Sequence, residues 1–168
     1  MNKVILSERT HLFEPNVYIS FLVQIEGVTS TDKLKNAVRT AFSANEVTMS
    51  KIVLNKDGTA FYEKMNESGC KIIVTKKNPE EIITENEKNP FDIAKGELMR
   101  VFISIADYGA DLLIMAHHLV GDGKSIVYFL EDIMNSLNGK KLVYKPLCPI
   151  TDKSFPEKDK FPLFIKLY

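Results

Sequence analysis

The sequence predicts an α/β fold of the α+β type, in which helices pack on a mixed, largely antiparallel sheet. Segments with an apolar residue at every second position alternate along the chain with segments of helical period. Two pairs of strand-like segments are joined by short turns, which is typical of antiparallel hairpins. The chain has 168 residues, of which 45% are hydrophobic, so one domain with a sizeable core is expected.

The first part of the chain predicts a strand followed by a helix. In residues 16–27 every second residue from Val17 to Ile25 is apolar, and several are β-branched, which favours a strand. Polar residues between Thr29 and Asp32 are suited to cap a helix. The segment behind them places four apolar residues at helical spacing: Leu34, Val38, Ala41 and Phe42.

The middle of the chain predicts a hairpin, a short strand and a second helix. Residues 50–65 have an Asp-Gly pair between two apolar runs, and such a pair tolerates the positive φ of a hairpin turn. Residues 70–77 predict a short strand. Residues 78–81, Asn-Pro-Glu-Glu, are typical of a helix start, and the Asn-Pro step at 89–90 is expected to end that helix.

The last part predicts a second hairpin and a third helix. Residues 96–107 and 111–119 have the pattern of two strands, joined by residues 108–110. An apolar stripe from Lys124 to Leu137 indicates an amphipathic helix. Behind it the pattern weakens, and residues 144–168 contain four of the seven prolines, which favours a connector.

Composition argues against several classes of protein. Lys plus Arg and Asp plus Glu are 22 each, so a surface dedicated to nucleic acid is not expected. No apolar run reaches the ~18 residues of a membrane span, and the N-terminal residues lack the pattern of a signal peptide. Cys70 and Cys148 have no disulfide or metal spacing, so a cytoplasmic protein is expected.

Residues 112–133 contain the most informative motif, and it allows three interpretations. The first is a phosphate-binding loop, because Gly123-Lys124-Ser125 lies between a predicted strand and a predicted helix. The first glycine of such a loop would stand at position 118, which is His118. A side chain at that position closes a loop that must stay open around phosphate, so this interpretation is disfavoured.

The second interpretation is a metal site. His117 and His118 are adjacent on a strand and therefore point to opposite faces, so they do not bind one metal together. His118 and Asp122 would need a third ligand, and His11 is the only other histidine. No metal is therefore expected.

The third interpretation is a histidine base. His118 would share a strand face with Leu112, Ile114 and Ala116 and emerge from an apolar floor. A histidine titrates near neutral pH and can accept a proton from an attacking group. The alternative without a catalytic role is that both histidines are core residues with satisfied hydrogen bonds.

Two motifs resemble one family and favour the third interpretation. "HHLVGDG", residues 117–123, matches the H-H-x-x-x-D-G signature of the condensation-domain and chloramphenicol-acetyltransferase-like acyltransferases. "NPFDIAKGELMR", residues 89–100, resembles the P-F-D-L-x-x-G-x-L-x-R segment that precedes the signature in condensation domains. The resemblance implies a chloramphenicol-acetyltransferase-like half-domain, and the two motifs occur in the family's order.

The resemblance also implies roles for individual residues. His118 would be the catalytic base, which deprotonates or orients an acceptor hydroxyl, amine or thiol. The acceptor would attack an acyl thioester on coenzyme A or on a phosphopantetheine carrier, and no permanently bound cofactor is implied. His117 would point inward and shape the site. Asp122 would pair with a cation and hold the loop, and Gly123 would give a tight turn at the helix start, whose N-terminus could stabilise negative charge.

The cation that pairs with Asp122 is left open by the sequence. Condensation domains usually carry an L-R-T-R-F segment, but Met49 and Lys51 stand where its two arginines would be. Arg100, Arg39 and Lys51 are the candidates. Arg100 is favoured because its predicted strand neighbours the strand that carries the signature.

The length of the chain suggests half of a family member. Residues 1–140 would form the N-terminal subdomain, and residues 141–168 a linker toward a missing C-terminal subdomain. The function that follows is a thioester-dependent acyltransferase, such as a nonribosomal peptide synthetase condensation domain or an alcohol acyltransferase, with a carrier domain as possible partner. Self-association could complete the site. The alternatives are a non-catalytic partner module of the same fold and, less favoured, a nucleotide-binding protein.

Overall fold

A computed structural model of the chain describes residues 3–5, 8–14, 16–27 and 30–148. Its strands are β1 Lys3–Val4, β2 Tyr18–Glu26, β3 Ser50–Leu54, β4 Ala60–Lys64, β5 Lys71–Val74, β6 Met99–Ala106 and β7 Gly109–His117. Its α-helices are α1 Thr31–Ala44, α2 Pro79–Glu87 and α3 Gly123–Leu137, and short 3-10 turns cover Glu8–Leu12, Glu46–Met49, Ile93–Lys95 and His118–Val120. The expected cap Thr29 and the expected linker from residue 149 onward lie outside the described residues.

Within the described residues the strands form two sheets instead of the single sheet that the sequence suggested. The larger sheet has the order β2-β7-β6-β5, and the smaller one has the order β1-β4-β3. Neighbouring strands are antiparallel except β5 and β6, which are parallel. The mixed, largely antiparallel sheet with packed helices confirms the predicted fold class.

Helices cover both faces of the larger sheet. Strand β7 is its centre, and alternate residues point to opposite faces. Ala110, Leu112, Ile114 and Ala116 join the core that includes α1 and α3, and this core also contains Leu34, Val38, Phe42, Ile126, Phe129 and Ile133. Leu113 and Met115 pack on the opposite face against Ile82 of α2. A central strand that is buried on both faces explains the nearly continuous apolar run "LLIMA".

The helix starts follow from local side-chain caps. The Ser30 side chain accepts a hydrogen bond from the Lys33 N–H at the start of α1. Asn78 and Glu81 form a reciprocal capping box at the start of α2, with Pro79 in the first turn. The helix α2 ends at Glu87, just before the Asn89-Pro90 step that was expected to stop it.

The second hairpin is tighter than expected. Strand β7 begins at Gly109, so the turn consists of Asp107 and Tyr108 and not of residues 108–110. Gly109 has a φ of 151°, and a Cβ there would lie 2.0 Å from the Ile25 carbonyl oxygen of β2. Close backbone approach therefore requires glycine at this position.

Candidate active site

The two adjacent histidines lie at the end of the central strand β7 but in different environments. His117 is the last residue of β7, opposite Tyr18 of β2, and it is fully buried. Its ring meets the Phe91 ring edge-on at a centroid distance of 5.8 Å, and its Nδ1 accepts a hydrogen bond of 3.2 Å from the Leu119 N–H. The ring is therefore directed into the core and braces the chain two residues ahead, whereas its role in shaping the site stays a prediction.

His118 begins a 3-10 turn, His118–Val120, and is partly exposed. The strand alternation therefore stops at His117, and the expected floor of Leu112, Ile114 and Ala116 is not continued by a strand residue. The His118 N–H still donates to the Val17 carbonyl at 3.0 Å, which anchors its backbone to the chain before β2.

His11 packs against His118, whereas the sequence suggests His11 only as a possible third metal ligand. The two rings are stacked, with centroids 4.9 Å apart and planes inclined by 21°. His11 belongs to the 3-10 turn Glu8–Leu12, which has no periodic sequence pattern. A fold-level contact between distant turns cannot be read from local periodicity, so this neighbour was missed.

Burial and charge lower the pKa of both histidines at the strand end. Burial lowers the pKa of His117 to about 4, while the Glu14 backbone carbonyl works in the opposite direction. The His117 Nε2 has no hydrogen-bond partner of good geometry among the described residues. Burial is also the main cause that lowers the pKa of His118, with His11 adding to it and Asp122 opposing it. Both rings are therefore neutral at pH 7.

Asp122 caps helix α3. Its Oδ1 accepts hydrogen bonds of 2.9 Å from both the N–H and the hydroxyl of Ser125. The Ser125 N–H, followed by its hydroxyl, lowers the pKa of the Asp122 carboxyl. The carboxylate thus takes the place at the helix N-terminus where a phosphate would bind, so Gly123-Lys124-Ser125 is a helix start and the structure does not support a phosphate loop. The N-terminus of α3, which the resemblance suggested could stabilise negative charge in the reaction, therefore already holds the Asp122 carboxylate.

Gly121, and not Gly123, is the glycine that the turn requires. Gly121 has a φ of 144°, and a Cβ there would lie 2.4 Å from the Ser125 Oγ. Gly123 is the first helical residue, and a Cβ there would meet the Phe21 ring at an ordinary 3.7 Å. The tight turn expected at Gly123 is therefore made two residues earlier, at a position that the family signature leaves variable.

The expected pairing of Arg100 with Asp122 is wrong. Arg100 is buried, and its Nε donates to the Glu97 Oε1 at 2.6 Å. Its Nη1 donates to the Asn89 carbonyl at 2.7 Å and to the Asn86 side-chain oxygen, and its Nη2 donates to the Pro90 carbonyl at 3.0 Å. Among the described residues Asp122 has no ion pair, whether with Arg100 or with the other candidates, Arg39 and Lys51.

Arg100 instead supports the histidine from behind. Its guanidinium lies over the Phe91 ring at 4.3 Å from the centroid, and the Phe91 ring meets His117. The carboxyl of Glu97 is buried, which raises its pKa, but hydrogen bonds from Arg100 and Lys71 outweigh this and lower it overall. The second motif, residues 89–100, thus builds a charged and aromatic layer behind the strand end.

Within the described part of the chain, no metal ligand set surrounds the two histidines. Across the described ranges, no group of three or more His, Cys, Asp or Glu side chains is arranged to hold a metal ion. Cys70 and Cys148 are both free thiols, and burial raises the pKa of the Cys70 thiol. In the same part of the chain no helix combines the length and hydropathy of a membrane span.

Solved structures with the same architecture define the class of fold. The condensation domain of the monacolin K polyketide synthase MokA superposes with a TM-score of 0.70 at 14% identity, covering 91% of this chain and 39% of that one. The epimerization domain from the third module of tyrocidine synthetase B superposes with a TM-score of 0.66 at 15% identity, covering 92% and 40%. The fold is therefore chloramphenicol-acetyltransferase-like, as predicted, and these likenesses show the fold alone.

Sequence comparison then shows the family. The family model of the condensation domain matches residues 12–152, so the chain belongs to the condensation-domain family. A hybrid PKS-NRPS synthetase of Trichoderma harzianum, thnA, is 24% identical over 95% of the chain. Another, pydA of an Acremonium species, is 28% identical over 79%. The chain spans only 4% and 3% of these two synthetases.

Proposed function

We propose that the chain carries the histidine-bearing part of a condensation-type acyltransferase. In this proposal an acceptor amine or hydroxyl attacks an acyl thioester, and His118 acts as the base. The thioester is held on a phosphopantetheine carrier of a partner domain or on coenzyme A. The condensation-domain family supports acyl transfer as the general kind of reaction.

The observation that carries the proposal is the contrast between the two histidines. His117 is fully buried and braces the turn, whereas His118, the next residue along the chain, is partly exposed. A partly exposed imidazole with a lowered pKa is neutral at pH 7, which is the form that accepts a proton. The site therefore presents His118 as a base on a backbone that is fixed on both sides.

The proposed reaction balances without a bound cofactor. The acceptor N–H or O–H gives its proton to His118 while its nitrogen or oxygen bonds to the thioester carbonyl carbon. The C–S bond then breaks, and the thiolate leaves with the proton from the imidazolium. The products are an amide or ester and a free thiol, and His118 returns to its neutral form.

Acyl transfer by the full-length natural protein tests this function. The donors are an acyl-phosphopantetheinyl carrier and acyl-coenzyme A, each offered with an amine and with a hydroxyl acceptor. His118→Ala is expected to lower kcat by about 10²- to 10⁴-fold, the range for a lost general base. A thermal melt of the variant controls for folding, because the His118 side chain is not part of a core cluster. An undiminished rate in a folded variant removes His118 as the base.

A non-catalytic partner module is the second candidate function. The observation that favours it is the His11 ring, which covers one face of His118. If no donor and acceptor pair reacts while the protein still binds an acyl carrier, the module is the better description. Such binding would remain in His118→Ala.

The domain organisation belongs to the same proposal. Residues 1–140 form the N-terminal subdomain, and residues 141–168 lead toward a second subdomain or toward a second copy that completes the site. Sedimentation of the 168-residue chain at high concentration separates the two possibilities, since a strictly monomeric species rules out completion by self-association.

A further inference from the structure

Two short turns from distant parts of the sequence are fixed on one hydrophobic cluster. Leu12 of the turn Glu8–Leu12 and Leu119 of the turn His118–Val120 are both buried in the core beside the smaller sheet. This core also contains Ile5, Ile52, Ala60, Tyr62 and Leu98. The two turns are therefore anchored in the same hydrophobic cluster.

Polar contacts fix each turn further. The Arg9 side chain donates to the Gly58 carbonyl at 2.7 Å, which ties the first turn to the β3-β4 hairpin. The Tyr62 hydroxyl donates to the Leu119 carbonyl at 2.8 Å, which ties the second turn to β4. His11 and His118 project from these turns and stack at 4.9 Å.

Stacking constrains an imidazole in a way that matters for proton transfer. The hydrogen bonds of an imidazole lie in the plane of its ring, so a partner on the ring face leaves both nitrogens free. The same partner restricts rotation of the ring, because turning would drive its edge into the neighbour. Stacking therefore holds the ring plane and so restricts the directions in which the nitrogens can point.

We propose that His11 is a positioning residue of the acyl-transfer site, which holds the imidazole plane of His118 and so directs the nitrogen that accepts the acceptor's proton. This inference rests on the proposed function for its meaning in catalysis. It assigns a role to a residue outside both family motifs, in a part of the chain before β2.

Charge gives His11 a second effect on His118. Among the described residues, the titratable groups that interact with His118 are His11 from the first turn, Asp122 at the start of α3 and the adjacent His117. Electrostatic repulsion from His11 contributes to the lowered pKa of His118, so the stack favours the neutral form of the base. Asp122 acts in the opposite direction but is exposed, so solvent screens it more strongly.

Histidine NMR on the 168-residue chain tests the stack directly. The chain has only three histidines, so substitution of each one assigns the ring signals. His11→Phe keeps an aromatic face but removes the charge, whereas His11→Ala removes both. We expect the titration midpoint of the His118 ring to rise in both variants. The tautomer signals of His118 are expected to stay distinct in His11→Phe and to become averaged in His11→Ala.

Kinetics of the full-length protein provide the second readout. We expect His11→Ala to lower kcat by about tenfold with KM nearly unchanged, since misorientation of a base affects the transition state more than substrate binding. His11→Phe is expected to recover most of kcat. Identical His118 titration and tautomer signals in all three proteins would overturn the inference, as would equal kcat values in His11→Ala and the wild type.

The two proposals fail in different ways. Full acyl transfer by a folded His118→Ala variant contradicts the base assignment whatever the NMR shows. An active enzyme that depends on His118 but is indifferent to His11→Ala contradicts only the positioning role.

Discussion

Two neighbouring histidines differ in chemistry because one lies inside the core and the other at its border. His117 is fully buried, with Phe91 at its ring edge and the Leu119 N–H on Nδ1. A charged ring there would lose its hydration, so His117 stays neutral over a wide pH range. His118 keeps partial access to solvent, which a base needs in order to meet an acceptor.

The burial of His117 predicts a pH-dependent stability. Its pKa is lowered from 6.5 to about 4, so the unfolded chain binds a proton between these pH values that the folded chain does not. The contribution of His117 to the free energy of unfolding is therefore complete above pH 6.5 and falls as the pH drops. Near pH 4 it is about 3 kcal/mol smaller than at pH 7. Urea unfolding from pH 7 to pH 4 measures this loss.

His117→Gln is the control for that measurement, because glutamine does not titrate and retains an acceptor. Carboxyl groups titrate over part of the same range in both proteins, so the difference between the two curves isolates His117. Parallel curves would show that His117 is protonated in the folded chain as easily as in the unfolded one.

The turn before α3 predicts opposite outcomes at two glycines. Gly121→Ala is expected to destabilise the fold by about 2 kcal/mol or more, since its φ of 144° and the Ser125 side chain leave no room for a Cβ. Gly123→Ala is the matched control and is expected to be neutral or slightly stabilising, because alanine suits a helix and has space there. Denaturant midpoints of both variants decide this, and equal midpoints would contradict the turn geometry.

At the level of elements, the spacing of apolar residues predicted the long, regular strands and helices. Strand β2 and helices α1 and α3 were located to within a few residues, because each buries one repeating face. The 3-10 turns at Glu8–Leu12 and His118–Val120 have no comparable period, so the contact of His11 with His118 could not be predicted. Division of the strands into two sheets depends on long-range pairing, which local sequence does not contain.

The ion-pair partner of Arg100 could not be predicted from the sequence either. Neighbouring strands made a contact with Asp122 plausible, but Asp122 lies past the end of β7 and caps α3. Arg100 lies near the start of β6, beside Glu97 and the turn after α2. The functional motif was recognisable from its residues, whereas the distribution of charges behind it was not.

Double-mutant cycles distinguish the two partners. Arg100→Ala is expected to cost about 3 kcal/mol or more, because Glu97 and several oxygens lose a buried partner. Its effect and that of Glu97→Ala are expected to be coupled by about 1–3 kcal/mol, since the two side chains touch. The effects of Arg100→Ala and Asp122→Ala should simply add. Strong coupling of the second pair, and none in the first, would restore the original expectation.

At the level of the whole molecule, the segment beyond α3 is fastened to the body. Lys145 binds both carboxylate oxygens of Asp132 at 2.7 Å, and its backbone N–H donates to the Ala44 carbonyl. The Leu147 N–H donates to the Glu46 carboxylate at 2.9 Å. Packing therefore continues at least to Leu147, beyond the boundary at residue 140 that the sequence suggested for the subdomain, and that boundary stays a prediction.

The molecule as a whole holds His118 from two directions. The larger sheet supplies the buried strand end behind it, and the smaller sheet fixes the turns that carry His118 and His11. The proposed base is thus located where two sheets meet, and its direction depends on both.

The pH dependence of acyl transfer tests the base most directly. In the full-length protein, kcat/KM is measured from pH 4.5 to pH 8 with a hydroxyl acceptor that does not titrate in this range. The wild type is expected to lose rate toward acid with an apparent pKa below the ordinary histidine value, because a protonated His118 accepts no proton. His118→Ala should be slow and lack this decline. A variant that keeps the same decline and the same rate would contradict the account.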